Sequence, residues 1–174
     1  DAFRFATYAS TTGAGKATGA LATGADVIAA LRTATSAMDE AEVPMEQRIL
    51  YITPTLKGLI DDMDTTKSKE VLARFSIIRE VPQTRFYSAI ELLDGKTGGE
   101  EKGGYKKASG AADINFLIIH KPAVLQFTKH AVPKIISPEA NQQADAWKYG
   151  YRNYGLCDTY ENKTAGIYVH KKSV

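Results

Sequence analysis

Apolar side chains recur at helical spacing in two stretches of the first half of the chain. Asp26 can cap a helix whose apolar positions follow at intervals of three and four residues: Val27, Ile28, Leu31, Ala34 and Met38. A second set follows Thr53, a cap residue, and Pro54, a proline at the first helical position: Leu56, Leu59, Ile60 and Met63. We therefore predict helices over residues 26–41 and 54–63, the second weakened by Gly58 by about 1 kcal/mol relative to alanine.

Two short apolar runs read as buried strands. Arg48–Ile52 and residues 114–119 are rich in β-prone side chains, and each run leads into a proline that can begin a helix. The second helix of this kind is predicted over residues 122–128. Because the strand–proline–helix unit occurs twice, we expect the two strands to share one sheet.

Two further strand signals lie between these runs. Residues 71–81 predict a helical turn followed by a strand around Ile77 and Ile78, which Pro82 ends. Residues 85–90 form another β-prone patch.

The N-terminal segment starts in the middle of a pattern. Residues 1–9 carry three aromatic side chains spaced like the buried side of an element, Phe3, Phe5 and Tyr8, and are expected to be the end of a helix. Residues 10–24 are rich in Gly, Ala and Thr without an apolar period, which is typical of a linker. Since the sequence opens at Asp1 rather than at a methionine, we expect it to be a piece of a longer protein.

The last third is aromatic. One alternating frame holds Trp147, Tyr149 and Tyr151, and the opposite frame holds Tyr154, Leu156 and Tyr160, which predicts one long strand with a bulge near Asn153 or Gly155. The set Ala144, Trp147, Tyr151 and Tyr154 also suits a helix, but the glycines in this stretch favour a strand. A turn at residues 161–164 and a last strand over residues 166–170 then complete a predicted terminal hairpin.

Residues 94–112 cannot contribute to a core. They hold six glycines, four lysines and two glutamates, with Tyr105 as almost the only apolar side chain. We predict an exposed, mobile loop. Its Lys96, Lys102, Tyr105, Lys106 and Lys107 are the candidate site. The lysines would suit contact with a phosphate backbone, but Glu100 and Glu101 dilute the charge, so a loop at an intersubunit contact or symmetry axis fits better.

Composition narrows the class of protein. The 174 residues are 44% hydrophobic and 24% charged, enough for one sizeable core. The net charge of +2, from 22 basic and 20 acidic side chains, argues against a dedicated nucleic-acid binder. The single Cys157 excludes an internal disulfide and fits a reducing, cytoplasmic origin, and no apolar run is long enough for a membrane span or a signal peptide.

None of the motifs predicts catalysis or a cofactor. Gly13, Gly15, Lys16 and Thr18 resemble a phosphate loop, but Ser10 and Ala17 stand where that pattern requires Gly and Ser or Thr. The carboxylates of Asp61, Asp62 and Asp64 are interpreted as a solvated helix end, and His120, His130 and His170 as structural histidines. We interpret Cys157 as a small apolar side chain and the sequon Asn162–Lys163–Thr164 as a turn.

The order of the elements resembles a known family. The helix from Asp26 is followed by "RILYITP", "TLKGLIDDM", "FSIIREVPQTRFYSAI", "INFLIIHKPAVLQFTKHAVPKIISPE" and "ADAWKYGYRNYGLCDTYENKTAGIYVHKK". This order is similar to the C-terminal portion of major capsid proteins of tailed bacteriophages and prophages of the Hong Kong 97 type. Val81 and Pro82 match the family's turn after a strand.

The resemblance implies an α+β capsid fold in three parts. Residues 1–25 would be the end of the spine helix and a linker, residues 26–140 an axial domain with a central mixed sheet flanked by helices, and residues 141–174 the long strand and C-terminal hairpin of the peripheral domain. The family's N-terminal arm and extended loop would precede Asp1.

The resemblance also implies a structural function. Such a subunit assembles with copies of itself into hexamers and pentamers of an icosahedral head, works with scaffolding and portal proteins, and encloses DNA that it contacts without sequence preference. It is found in the virion, and in the host cytoplasm during assembly, with no enzyme activity, cofactor, metal or membrane partner. The alternatives are another phage structural component, such as a tail or decoration protein, and a small α/β enzyme with His120 or His130 as a base.

Overall fold

The computed structural model describes residues 2–63 and 66–173. The chain divides into two compact units: Asp1–Val124 together with Thr159–Val174, and Leu125–Asp158. Each unit is described by itself below.

Among the described residues, four helices and seven of the nine strands belong to the first unit, whereas most of β7 and of β8 belongs to the second. The helices are α1 (Ala2–Ser10), α2 (Gly24–Glu40), α3 (Pro54–Asp61) and α4 (Thr66–Leu72). The strands are β1 (Gly15–Thr18), β2 (Arg48–Ile52), β3 (Ile77–Glu80), β4 (Ile90–Leu93), β5 (Gly104–Lys107), β6 (Ile114–His120), β7 (Val124–Ile136), β8 (Lys148–Thr159) and β9 (Ile167–Lys171). Short 3₁₀ turns occupy Gln83–Arg85, Lys121–Ala123, Pro138–Ala140 and Glu161–Gly166.

A five-stranded mixed sheet forms the centre of the first unit, in the order β1-β9-β6-β2-β3. The outer pairs β1/β9 and β2/β3 are parallel, whereas β6 runs antiparallel to both β2 and β9. The α+β class with a central mixed sheet is therefore confirmed. The expectation that the two proline-terminated strands share one sheet is also confirmed, since Leu50 of β2 lies opposite Ile118 of β6.

The core lies between this sheet and its helices. One face of α2 packs with α3, α4 and the inward side chains of the sheet, and every member of the following set is buried: Val27, Leu31, Ala34, Met38, Leu50, Ile52, Ile60, Phe116 and Ile118. On β2 burial alternates, so Tyr51 faces the other side. There the Phe5 ring of α1 meets Tyr51 and Phe86 edge to face, at centroid distances of 5.1 and 5.2 Å. The sheet thus carries helices on both faces.

The capping of α2 differs in detail from the prediction. Thr23, rather than Asp26, is the N-cap residue: its hydroxyl accepts from the Asp26 backbone N–H, and the Asp26 carboxylate accepts from the Thr23 backbone N–H at 3.0 Å. The hydrogen bond from the Thr23 hydroxyl lowers the pKa of Asp26. The helix therefore begins about one turn earlier than predicted, because Asp26 is its third residue and forms a reciprocal capping pair with Thr23.

A buried arginine fastens the far end of α2 to the sheet. Arg48 has no exposed surface, and its guanidinium pairs with Asp39 at 2.7 Å and donates to the Val43 and Pro44 carbonyl oxygens. Arg74 binds the other oxygen of Asp39 at 2.8 Å. A buried cation is stable only with such partners, so this cluster holds the α2–β2 connection in place.

Four predictions about local structure are wrong. The predicted helix over residues 122–128 is a 3₁₀ turn followed by β7, because hydrogen bonding to a partner strand outweighs the proline start signal. The terminal hairpin is not formed: β8 pairs with β7, while β9 lies between β1 and β6. The linker at residues 10–24 contains β1, which pairs with the distant β9, and the loop at residues 94–112 contains β5, which pairs with the preceding strand β4 in a hairpin.

The predicted boundaries also differ in places. The division of the chain at Leu125–Asp158 does not coincide with the expected boundary at residue 140, and residues 159–174 return to the first unit. Phe5 and Tyr8 are buried as expected, but Phe3 is 54% exposed. The assignment of the segments to axial and peripheral domains stays a prediction.

Two glycines in helices provide a matched test of packing. A methyl group at Gly24 would lie 2.3 Å from the Leu59 carbonyl oxygen, whereas one at Gly58 meets nothing within 4 Å. We expect Gly24→Ala to lower the free energy of unfolding by about 1–3 kcal/mol through overpacking. Gly58→Ala should raise it by about 0.5–1 kcal/mol through helix propensity. Urea denaturation of both variants measures these changes, and equal effects of the two substitutions would contradict the packing of α2 on α3.

Candidate functional site

The predicted site residues lie on one β-hairpin. Strands β4 and β5 pair antiparallel, with Leu92 opposite Tyr105 and Glu91 opposite Lys106. Three of the predicted residues, Tyr105, Lys106 and Lys107, are therefore consecutive on one strand, whereas Lys96 and Lys102 lie in the loop that joins the strands. The structure brings the five into one hairpin but not into one cluster.

The loop of this hairpin has internal order. The Asp94 carboxylate accepts hydrogen bonds from the backbone N–H groups of Lys96 and Thr97 at 2.7 and 2.8 Å and from the Thr97 hydroxyl at 2.7 Å. These bonds, above all that from the Thr97 N–H, lower the pKa of Asp94. Gly103 and Gly104 both have positive φ, of 60° and 101°, a conformation that explains two adjacent glycines where the chain enters β5.

Two of the four lysines on the hairpin, Lys106 and Lys107, are paired with acidic side chains of the same chain. Lys106 pairs with Glu100 at 3.0 Å and with Glu91 at 3.7 Å, and the hydrogen bond to Glu100 raises its pKa. Lys107 pairs with Asp113 at 2.8 Å. The Tyr105 hydroxyl donates to the Thr84 carbonyl oxygen at 3.2 Å. In the described part of the chain only Lys96 and Lys102 of the predicted residues have no ion pair, so the hairpin is close to electrically neutral.

A second exposed surface was not predicted. Leu125–Asp158 consists mainly of β7 and β8, a two-stranded antiparallel ribbon whose side chains alternate between two faces. His130 and Tyr154 share a face, since their rings lie 6.5 Å apart. The ribbon's large apolar side chains are mostly exposed, each by about half or more: Phe127 59%, Ile135 63%, Trp147 58%, Tyr149 73%, Tyr151 71%, Tyr154 59% and Leu156 53%.

The two faces of the ribbon differ in chemistry. The face with His130 also carries Lys134, Lys148 and Arg152, and we call it the basic face. A groove of about 340 Å³ lies between His130, Lys134 and Arg152, where Gly150 has no side chain to fill it. The opposite face, called the apolar face, carries Leu125, Phe127, Ala131, Ile135, Tyr149 and Tyr151, with Lys129 as its only charged residue within the two strands. The sequence signal that could have predicted these two faces is the alternation of basic and apolar residues along each strand.

The remaining candidate motifs are dispersed. Lys16 and Thr18 belong to β1, which pairs with β9, so the glycine-rich stretch is no phosphate loop. Asp61 and Asp62 are at the C-terminal end of α3, and Asp64 lies outside the described residues. Cys157 is partly buried on β8, and the Asn162 sequon lies in a 3₁₀ turn. Within residues 2–63 and 66–173, no three His, Cys, Asp or Glu side chains group as a metal site, and no helix is both long and apolar enough to cross a bilayer.

One histidine is part of a buried polar chain. The Asn115 side-chain amide donates to the Gly19 carbonyl oxygen at 3.2 Å and lies 3.0 Å from His170 Nδ1, which therefore accepts its second hydrogen. Phe116 stacks on the His170 ring at 5.1 Å. Burial lowers the pKa of His170. Burial also lowers the pKa of His120, the last residue of β6.

Comparison with known proteins shows similarity in fold but not in sequence. No protein-family model and no curated protein sequence matches the chain. A chain of a structure described as Mycobacterium phage Che8 matches with a TM-score of 0.59 and 11% identity, over 98% of this chain and 57% of that one. A chain of the structure described as the capsid of the cyanophage P-SCSP1u matches with a TM-score of 0.64 and 17% identity, over 99% and 60%.

These matches confirm the predicted phage capsid fold. At 11% and 17% identity they establish the fold alone, and the chain spans 57% and 60% of the two matched chains. They do not name a capsid family, so the Hong Kong 97 type stays a prediction.

The buried His170 predicts a pH dependence of stability. Because burial disfavours its charged form, the unfolded state takes up a proton at a higher pH than the folded state does. Stability should therefore be complete above the ordinary histidine pKa of about 6.5 and fall as the pH drops below it. Urea denaturation between pH 8 and 5 should show a smaller fall for His170→Gln than for the wild type, and a still smaller one for the His120→Gln/His170→Gln double variant. An unchanged pH slope in the double variant would contradict the assignment.

Proposed function

We propose that the chain is the shell-forming part of a tailed-bacteriophage major capsid protein, which assembles with copies of itself into the hexamers and pentamers of the head. The fold shared with a phage capsid structure supports this proposal. The observation that carries it is the ribbon, whose apolar face requires a covering partner. The protein would act in the virion, and in the host cytoplasm while the shell assembles with scaffolding and portal proteins.

The apolar face of the ribbon is the main proposed contact between subunits. A two-stranded ribbon alone is marginally stable in water, and large exposed aromatic side chains on one face mark an interaction surface. Covering a side chain such as Tyr149 or Tyr151, each more than 70% exposed, contributes on the order of 1.5–3 kcal/mol. Contacts of this kind between different surfaces of identical subunits generate rings and closed shells.

The β4–β5 hairpin is the second proposed contact, at a symmetry axis. Five or six copies of one loop bring identical charges close together around such an axis, and like charges repel. Because Lys106 and Lys107 are paired with acidic groups of their own subunit, copies of the hairpin can approach one another with little repulsion. Lys96 and Lys102 then remain for contacts with a neighbouring subunit.

The basic face of the ribbon is proposed to contact the packaged DNA. Lys134 and Arg152 have no ion pair among the described residues. Asp158 is the one acidic residue within β7 and β8. If protein covers the apolar face, the basic face lies on the opposite side of the shell wall. Contacts of lysine and arginine with phosphates bind without sequence preference.

Another phage structural protein, such as a tail or decoration component, is the second candidate. It would need the same covering of the ribbon but would form no closed shell. Assembly therefore distinguishes the two.

Substitutions on the apolar face test the shell proposal. We expect that the gene encoding this chain, expressed at its natural length with its neighbouring phage genes, forms shells or capsomer rings in negative-stain micrographs. Tyr149→Asp/Tyr151→Asp should abolish them, because a buried unpaired charge costs more than the contact contributes. The control Tyr149→Phe/Tyr151→Phe keeps the apolar surface and should still assemble. Fixed small oligomers from the wild type would refute the coat function in favour of the second candidate.

Charge removal on the basic face tests the DNA contact. For double-stranded DNA, the slope of log affinity against log salt concentration changes by about 0.9 for each phosphate contact. Lys134→Gln/Arg152→Gln should therefore flatten that slope by up to about 1.8 in fluorescence-anisotropy titrations. Lys129→Gln on the apolar face is the matched control and should leave the slope unchanged. Equal effects of both substitutions would remove the basic face as the contact surface.

A further inference from the structure

A cavity in the first unit has no part in the surfaces described above. Its volume is about 810 Å³, and it lies where the segment after β1, the β2–α3 junction and the chain around Gln83 meet. Leu21, Leu56 and Leu59 form much of its apolar wall. At one end it is polar, with Thr53, Asn115 and Lys172 among the lining residues.

The N-terminus of α3 opens at the polar end. The first hydrogen bond of the helix runs from the Lys57 N–H to the Thr53 carbonyl oxygen at 3.0 Å. Pro54 has no N–H, and within the described residues the N–H groups of Thr55 and Leu56 have no acceptor. Free N–H groups at a helix start favour a negatively charged partner, but every helix has them, so they do not identify a site.

The Thr53 side chain is the second, independent feature. Thr53 is only 5% exposed, yet its hydroxyl makes no capping bond to α3 and has no partner among the described residues. The corresponding Thr23 of α2 does make that bond. Among the described residues, Arg48 Nη1 is the one fully enclosed side-chain nitrogen or oxygen atom without a hydrogen-bond partner. The unpartnered Thr53 hydroxyl is therefore not fully enclosed and keeps a small accessible surface. Because Thr53 lines the cavity, that surface faces the cavity.

The charge at the cavity has one sign. Lys172 is the only charged residue among the described residues that line it. Its ammonium group lies 3.4 Å from Gln83 Oε1 and 3.8 Å from Asp113 Oδ2, both long contacts that leave donor capacity for a ligand. Asn115 is already occupied by Gly19 and His170, so it closes the polar end rather than binding.

We propose that this cavity binds the carboxylate of an acidic side chain flanked by apolar residues, presented by a peptide segment of another polypeptide. The carboxylate would accept from the Thr53 hydroxyl and the free N–H groups of Thr55 and Leu56, with Lys172 as the counter-charge. An oxyanion alone fills only the polar end, whereas the apolar wall at Leu21, Leu56 and Leu59 matches apolar neighbours of the acidic residue. The proposal does not depend on the shell function.

The test uses three probes on the ¹⁵N-labelled chain. The blocked peptide acetyl-Leu-Glu-Leu-amide carries the proposed chemistry, acetyl-Leu-Gln-Leu-amide is its neutral analogue, and inorganic phosphate is the bare oxyanion. Amide chemical shifts of Thr55 and Leu56 report occupancy. We expect the acidic peptide to shift both resonances saturably, and the neutral peptide to bind at least about tenfold more weakly because charged hydrogen bonds are the stronger ones.

Two variants and two controls assign the binding groups. Thr53→Val keeps the shape of the side chain without the hydroxyl, and Lys172→Gln removes the charge; each should weaken the acidic peptide about tenfold while the other amide resonances keep their positions. Thr84→Val and Lys121→Gln, outside the cavity, should bind like the wild type. Absence of saturable shifts with every probe overturns the site. Phosphate binding as tight as the acidic peptide overturns the peptide assignment, and equal binding of the two peptides overturns the carboxylate.

Discussion

Strand β6 is the element on which the rest of the first unit depends. It pairs with β2 on one side and with β9 on the other, and six of its seven residues are buried. A strand buried on both faces must be apolar throughout and must have its backbone groups paired along both edges. Asn115 is the polar exception, and it satisfies its side chain by bonds to Gly19 and His170. These bonds connect β6 to β9 and to the residue that follows β1.

The two units differ in how far their apolar side chains are covered. In the first, helices cover both faces of the sheet, so its core is complete within one chain. In the second, β7 and β8 have only each other, and their aromatic side chains stay in water. A protein that functions alone rarely keeps such a surface.

The candidate site could be predicted only in part. The composition of residues 94–112 correctly indicated an exposed segment, since six glycines and few apolar side chains cannot form a core. It could not show that Glu91, Glu100 and Asp113 pair with Lys106 and Lys107, because Glu91 and Asp113 lie outside that segment and Glu91 meets Lys106 only when β4 and β5 pair. The cavity beside Thr53 could not be predicted, since its walls come from separate segments of the chain between Ala20 and Ser173.

The sequence by itself determined the elements whose signals are local. The apolar period of Val27 to Met38, the Thr53–Pro54 start of α3 and the apolar runs of β2 and β6 each describe a structure that forms from neighbouring residues. Only the tertiary structure decided which strands pair. The short strand β1 forms because it pairs with β9, which lies far along the chain, β5 forms because it pairs with β4 across a hairpin, and the aromatic strand β8 joined β7 rather than β9. The physical reason is that strand pairing satisfies backbone hydrogen bonds between distant segments, and the side-chain pattern of one strand does not specify its partner.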